Sequence, residues 1–173
     1  MLDRFTMPLT QRPLRYLAHA LHHRTITPDQ VTLAAFIVGI CALPLLAFEQ
    51  YGLALAAVVF NRLGDGVDGA LARLSGQQSD AGGFLDIGLD FVFYAAVVLG
   101  FALANPMHNA LPAALLLFAF IGTGTSFLAF AIAAKARQVE RPNFPQKAFY
   151  YLEGLTEGTE TVAALVLFCL FPK

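Results

Sequence analysis

Four aspartates within residues 65–90 are the side chains of this sequence whose type and spacing could do chemistry. Asp65 and Asp68 lie three apart, so they share one face of a helix; Asp86 and Asp90 lie four apart and share a face of the next. Between the pairs runs a polar break, Ser75-Gly76-Gln77-Gln78-Ser79-Asp80, and the stretches on either side are apolar enough for a membrane. A turn in that break folds the two helices into an antiparallel hairpin, with the carboxylates facing each other a few turns below it. Like charges so close cost about 3 kcal/mol per pair at roughly 5 Å and an effective dielectric of ~20. Either some carboxyls are protonated or cations bind between them. Ligands that are all oxygen favour hard cations such as Mg²⁺, Mn²⁺ or Ca²⁺. The plainer alternative is helix caps and solvated turn residues. It fits poorly, because Asp65 and Asp90 are too far from the turn to cap a helix.

The elements that must position these carboxylates are membrane helices. Hydrophobic residues make up 57% of the 173 and charged ones 13%, against about 25% charged in a soluble domain. The length suits one domain over 1–173, an interfacial segment at 1–26 followed by a transmembrane bundle at 27–173. A net charge of −1 offers nucleic acid no electrostatic footprint, and no nucleic-acid partner is expected. Cys41 and Cys169 sit far apart in apolar runs and read as packing residues, without disulfide or metal-site spacing. Pro8, Pro13 and several arginines interrupt the first stretch, which carries no cleavable signal pattern.

Residues 2–24 are weakly amphipathic. Leu9, Leu14, Leu17 and Leu21 line one side, and Arg12, Arg15, His19, His22 and Arg24 fall largely elsewhere, as in a helix lying on an anionic leaflet. The histidines lack a carboxylate or Cys at ligand spacing, which favours a solvated face over a metal site. Thr27-Pro28-Asp29-Gln30 is a helix-start signature: a Thr cap, Pro at the first helical position and Gln three after the cap. The first span follows at 31–48, with Pro44 as a kink, and a turn at 49–52 leads to the second at 53–74. That span turns polar halfway, at Asn61, Arg62, Asp65 and Asp68; Arg62 precedes Asp65 by three, a spacing that suits an intrahelical ion pair.

The third span, 82–104, is capped by Ser79, with Asp80 at the positive end of its dipole. After a turn at 105–109, the fourth span covers 111–134. Its Gly122, Thr123, Gly124, Thr125 and Ser126 form a small-residue patch suited to close helix packing. A basic segment holds Lys135, Arg137, Arg141 and Lys147. The last apolar run, 161–171, is too short to span and must recruit residues from about 147 or 150 onward. That places Glu153, Glu157 and Glu160 in or near the membrane. Glu157 and Glu160 point toward one side and either bind an acceptor's hydroxyls or pair with Arg62 or Arg141. Lys and Arg flank the first span, the second turn and the end of the fourth span, while the connections at 49–52 and 105–110 carry none. The positive-inside rule then puts the N-terminus and all four aspartates on the cytoplasmic side.

The aspartate segment resembles the signature of the CDP-alcohol phosphatidyltransferase family, D-x2-D-G-x2-A-R-x8-G-x3-D-x3-D. Every fixed position is filled, by Asp65, Asp68, Gly69, Ala72, Arg73, Gly82, Asp86 and Asp90. The resemblance implies an all-α, polytopic integral membrane protein of usually six spans, where five are counted here beside the N-terminal interfacial amphipathic helix. It implies an enzyme that transfers a phosphatidyl group from CDP-diacylglycerol to a small alcohol and releases CMP. Two divalent cations, Mg²⁺ or Mn²⁺, are implied: Asp65, Asp68 and Asp86 would bind the first, and Asp65, Asp86 and Asp90 the second. Asp90 would also accept the proton of the attacking hydroxyl. Asp29, Thr32, Gly69, Ala72, Arg73, Ser79 and Gly82 would bind the donor. A homodimer in a bacterial inner membrane is implied as well.

The acceptor is less specified. Glycerol 3-phosphate is the first choice, with Arg62, Lys135, Arg137 and Arg141 as candidate phosphate partners and Glu157 and Glu160 as candidate hydroxyl partners. Transfer to inositol or inositol phosphate, or from a CDP-linked headgroup to diacylglycerol, is the alternative. Two readings of another class remain: a divalent-cation transporter, and a non-catalytic membrane scaffold. Arg73 and the small residues after Asp68 favour a nucleotide over a bare ion.

Overall fold

The helix-start signature at Thr27 forms as the sequence demands. The Thr27 hydroxyl accepts from the Gln30 backbone N–H at 3.4 Å, and the Gln30 side chain accepts from the Thr27 N–H at 3.1 Å. The chain, seen in a computed structural model that describes residues 3–137 and 158–172, is all helical in those residues. In order, its helices are α1 (Asp3–His22), α2 (Pro28–Ile40), α3 (Ala42–Ala47), α4 (Tyr51–Ser75), α5 (Asp80–Ala104), α6 (Pro106–Ala136) and α7 (Gly158–Leu170).

The boundaries follow local chemistry. The expected kink at Pro44 is a break at Cys41, which divides the first span into α2 and α3. Proline lacks an N–H and its ring crowds the carbonyl four residues back; here that carbonyl is Ile40, the last residue of α2. The turn expected at 105–109 is shorter than read. Asn105 alone leaves the helix, and Pro106 opens α6 at the first helical position, where proline fits. α4 stops at Gly76, which takes the left-handed conformation at φ 68°.

Among the described residues, three stretches are long and apolar enough to cross a membrane: 28–47, 80–104 and 106–130. α4, at 25 residues, reaches about 38 Å and has the length for a crossing, but carries Arg62, Asp65 and Asp68. The protein is thus an integral membrane protein in which α4, of spanning length, carries the charged residues of the cluster on its packed side. One core cluster joins Ala42 and Leu46 of α3, Ala54 and Val58 of α4, Phe93 and Val97 of α5, and Leu165 and Cys169 of α7. It fills the half of the bundle away from the polar turn. Beyond it, α1 lies along the carboxylate half of α4: Ala18 is 1% exposed and packs with Ala70 and Leu71, flanked by Leu14 and Leu21. The buried stripe of α1 is therefore 14, 18 and 21. Leu17, expected with it, is 46% exposed.

Cys41 is exposed rather than packed, and Cys169 is buried; both are free thiols. In the small-residue patch of α6 only Gly124 makes the expected close approach, since a Cβ there would stand 2.9 Å from the Phe91 ring. Thr123 and Thr125 instead donate their hydroxyls to carbonyls of their own helix. Arg141, Lys147, Glu153 and Glu157 lie outside the described residues.

Candidate functional site

α4 and α5 are antiparallel, yet their backbones barely touch. α2 packs against both and holds them apart, so side chains fill the space between them. Two close approaches bring α2 onto α4. Gly39 faces Asn61, where a Cβ would come to 2.7 Å, and the Asn61 Nδ2 donates to the Ala35 carbonyl at 3.0 Å. On the other side of the break, Ser79 caps α5 by accepting from the Gly82 N–H at 2.9 Å. Ten residues separate each of Asp65 and Asp90 from its end of the break, Ser75 and Asp80. Both therefore lie about 15 Å below the turn.

Asp65 converges with Asp68 and Asp86, which stand nearer the turn, each offering a carboxylate oxygen within 4.8 Å of the others. Asp68 is 4% exposed and accepts the Thr32 hydroxyl of α2 at 2.5 Å. The same hydroxyl lies 3.1 Å from the Pro28 carbonyl. It has one proton to give, and the shorter contact to a charged acceptor prevails. Oδ1 of Asp86 is buried without a hydrogen-bond partner. A buried carboxylate oxygen with no donor is costly, and it completes an all-oxygen donor set. The three residues therefore fit a hard divalent cation.

Asp90 stands apart from that trio, because Arg62 takes it. Both Asp90 oxygens accept from the guanidinium, Oδ2 from Nη1 at 3.1 Å and Oδ1 from Nη2 in a shorter contact. The ion pair expected between Arg62 and Asp65 exists but is the looser one, at 3.6 Å. Nη1 also donates to the Tyr94 hydroxyl at 2.9 Å, while Nε and Nη2 donate to the Asn61 carbonyl oxygen at 2.9 and 2.6 Å. All five N–H groups of Arg62 are thus engaged within the protein. The rings of Phe93 and Tyr94 lie 4.9 and 5.2 Å from its central carbon. A small open cleft borders the cluster, lined by Thr32, Phe36, Arg62, Asp65, Asp86 and Asp90 among others.

The residues expected to hold the donor gather above the trio, at the end of the bundle formed by the start of α2, the end of α4 and the start of α5. A Cβ on Gly82 would lie 3.1 Å from both Asp29 Oδ1 and Ser79 Oγ, which puts these three side by side. The Arg73 guanidinium lies along Gly69, with Nη1 3.3 Å from where a Cβ would be. Ala72, one residue before it, is half-buried. The acceptor candidates are more scattered. Arg62 is deep in the cluster, Arg137 is exposed just past α6, and Glu160 is half-buried in the first turn of α7. The side chain of Lys135 and all of Arg141 and Glu157 are outside the described residues.

Tyr94 was not singled out from sequence, and Asn61 was noted only as a polar residue of the second span, without a role. Tyr94 follows Asp90 by four, so it shares the carboxylate's helix face, a signal the spacing carried. The partners of Asn61 had no such signal, because they are the backbone of another helix and the neighbouring arginine.

Comparison with known proteins identifies a family. The family model described as CDP-alcohol phosphatidyltransferase matches residues 25–171. An Escherichia coli K12 protein named inner membrane protein YnjF is 55% identical over 172 residues, 99% of this chain and 83% of that one. The archaetidylinositol phosphate synthase of Pyrococcus horikoshii is 34% identical over 105 residues, 57% of this chain and 52% of its own. The bifunctional IPC transferase and DIPP synthase of Archaeoglobus fulgidus is 37% identical over 78 residues, 43% of this chain and 16% of its own.

Proposed function

The chain belongs to the CDP-alcohol phosphatidyltransferase family, and we propose that it transfers the phosphatidyl group of CDP-diacylglycerol to a small phosphorylated alcohol, with release of CMP. One observation carries the reading. The motif aspartates Asp65, Asp68 and Asp86 converge on one point, with a buried Asp86 oxygen that no protein donor satisfies. Divalent cations, Mg²⁺ or Mn²⁺, held by Asp65, Asp68 and Asp86, with Asp90 as a further ligand for a second, would neutralise the pyrophosphate of the donor. Arg73 and the Asp29, Ser79 and Gly82 end of the bundle would seat the nucleotide and its phosphates.

In the reaction the acceptor hydroxyl oxygen bonds to the phosphatidyl phosphorus while the bond from that phosphorus to the CMP oxygen breaks. Asp90 takes the hydroxyl proton, and CMP leaves with the bonding pair. Glycerol 3-phosphate is the first acceptor to test. The relative named an archaetidylinositol phosphate synthase favours inositol phosphate as the second. Because every Arg62 N–H is engaged, Arg137, Lys135 and Arg141 are the better candidates for the acceptor phosphate, with Glu157 and Glu160 for its hydroxyls. The active site faces the cytoplasm, on the distribution of Lys and Arg, in a bacterial inner membrane such as the name of the E. coli relative states. The whole chain, 1–173, acts as one domain and pairs as a homodimer.

The test is CMP release by purified protein in lipid nanodiscs with CDP-diacylglycerol, Mg²⁺ or Mn²⁺, and a panel of acceptors. Release should depend on metal and on one acceptor, and Asp90→Asn should lower it by about 10²–10⁴-fold. Release that ignores metal, or survives Asp90→Asn, would overturn the assignment.

A further inference from the structure

Arg62 has no counterpart among the fixed positions of the motif, yet it is the best-held side chain in the site. It stands on α4 one turn before Asp65, and its five N–H groups end on Asp90, Asn61 and Tyr94. Asn61 is itself tied to the Ala35 carbonyl of α2, and Tyr94 lies on the α5 turn that follows Asp90. Three helices therefore fix one guanidinium. The Arg62 side chain is 13% exposed, and two aromatic rings flank it.

A bidentate guanidinium satisfies a carboxylate in the plane where a cation would otherwise bind. Asp90 is engaged at both oxygens, whereas Asp86 keeps one oxygen without a partner and Asp65 meets Arg62 only at 3.6 Å. The four carboxylates thus divide. Three remain open to an exchangeable cation, and the fourth has a covalently tethered one.

We propose that Arg62 is a positioning residue that holds the Asp90 end of the cluster against a second cation, so that the donor-free protein binds one divalent ion per chain. A second ion reaches Asp90 only in exchange for Arg62. The inference rests on the metal-binding reading of Asp65, Asp68 and Asp86.

The experiment is Mn²⁺ binding to the full-length protein in nanodiscs without donor, by equilibrium titration and electron paramagnetic resonance. Two Mn²⁺ ions bridged by carboxylates would lie about 3.5–4 Å apart and couple magnetically. The wild type should bind one ion with an uncoupled spectrum. Arg62→Gln should bind a second ion, about tenfold or more tighter than any second site of the wild type, and the spectrum should become coupled. Asp90→Asn guards against a misfolded Arg62 variant: it should retain the single ion, because Asp90 is not its ligand. Two coupled ions in the wild type, or loss of the single ion in Asp90→Asn, would overturn the role of Arg62 while leaving the metal site in place. No Mn²⁺ binding to the wild type would overturn both.

Discussion

Asn61 is a small side chain with a large structural task, and Asn61→Ala measures it. The residue is 4% exposed. Its Nδ2 donates to Ala35 at 3.0 Å, and its oxygen accepts from Arg62 Nε and Nη2 at 2.9 and 2.6 Å. A hydrogen bond to a charged group contributes about 1.5–3 kcal/mol and a neutral one about 1 kcal/mol, so the three sum to roughly 4–7 kcal/mol if nothing replaces them. Water can enter from the adjacent open cleft and solvate the freed N–H groups in part. The expected loss is therefore lower, about 3 kcal/mol. Reversible unfolding of the purified protein in mixed lipid and detergent micelles, titrated with a denaturing detergent and followed by helical circular dichroism, reads this directly. The mechanism has a sharper signature in a double-mutant cycle with Arg62→Met. If most of the loss comes from stranding the guanidinium, Asn61→Ala should cost far less once Arg62 is gone, with a coupling of about 2 kcal/mol. Additivity within about 0.5 kcal/mol would refute the claim that Asn61 acts through Arg62.

Three further outcomes follow from the same geometry. Gly82→Val puts a branched side chain where even a Cβ meets Asp29 Oδ1 and Ser79 Oγ at 3.1 Å; the KM for CDP-diacylglycerol should rise roughly tenfold with kcat nearly unchanged, the pattern of lost uniform binding. Gly76→Ala forces an L-residue to φ 68° with open space around it, so it should cost about 1–2 kcal/mol in the unfolding titration and leave the metal stoichiometry unchanged. Chelation with EDTA should abolish CMP release, and adding back Mg²⁺ or Mn²⁺ should restore it.

Local features of the fold were legible because they are set by neighbours in sequence. The Thr27 capping box, the Ser79 cap, the polar turn and the shared faces of Asp65 with Asp68 and Asp86 with Asp90 all depend on residues within four positions. The division of the carboxylates was not legible. Spacing pairs Arg62 with Asp65, three residues on, and that contact exists at 3.6 Å. The stronger partner, Asp90, is 28 residues away and becomes reachable only when α2 holds α4 and α5 at their observed separation. In α1 the pattern placed Leu14 and Leu21 correctly on the packed side but took Leu17 where the structure buries Ala18. Ala18 is small enough to let that helix approach Ala70 and Leu71, and a search for large apolar side chains passes over it.

The placement of the tethered cation has a physical logic. Asp68 and Asp86 lie closer to the polar turn than Asp65 and Asp90, so the cluster has a shallow end and a deep end. A charge at the centre of a membrane helix costs about 3 kcal/mol on insertion scales, and a mobile ion at the deep end would also have to shed its water far from the surface. A guanidinium carried on α4 avoids that second cost, because it arrives with the helix and is less strongly hydrated than a small ion. The exchangeable cation then lies between Asp65 and the shallow pair Asp68 and Asp86, on the side of the donor-facing residues Asp29, Arg73 and Ser79. Arg62→Lys should keep the deep charge but lose the planar fork that grips both Asp90 oxygens. Its Mn²⁺ stoichiometry should lie between those of the wild type and Arg62→Gln, with the second ion visible only at high Mn²⁺. A Lys variant indistinguishable from the wild type would show that charge alone guards Asp90 and that the bidentate geometry is incidental.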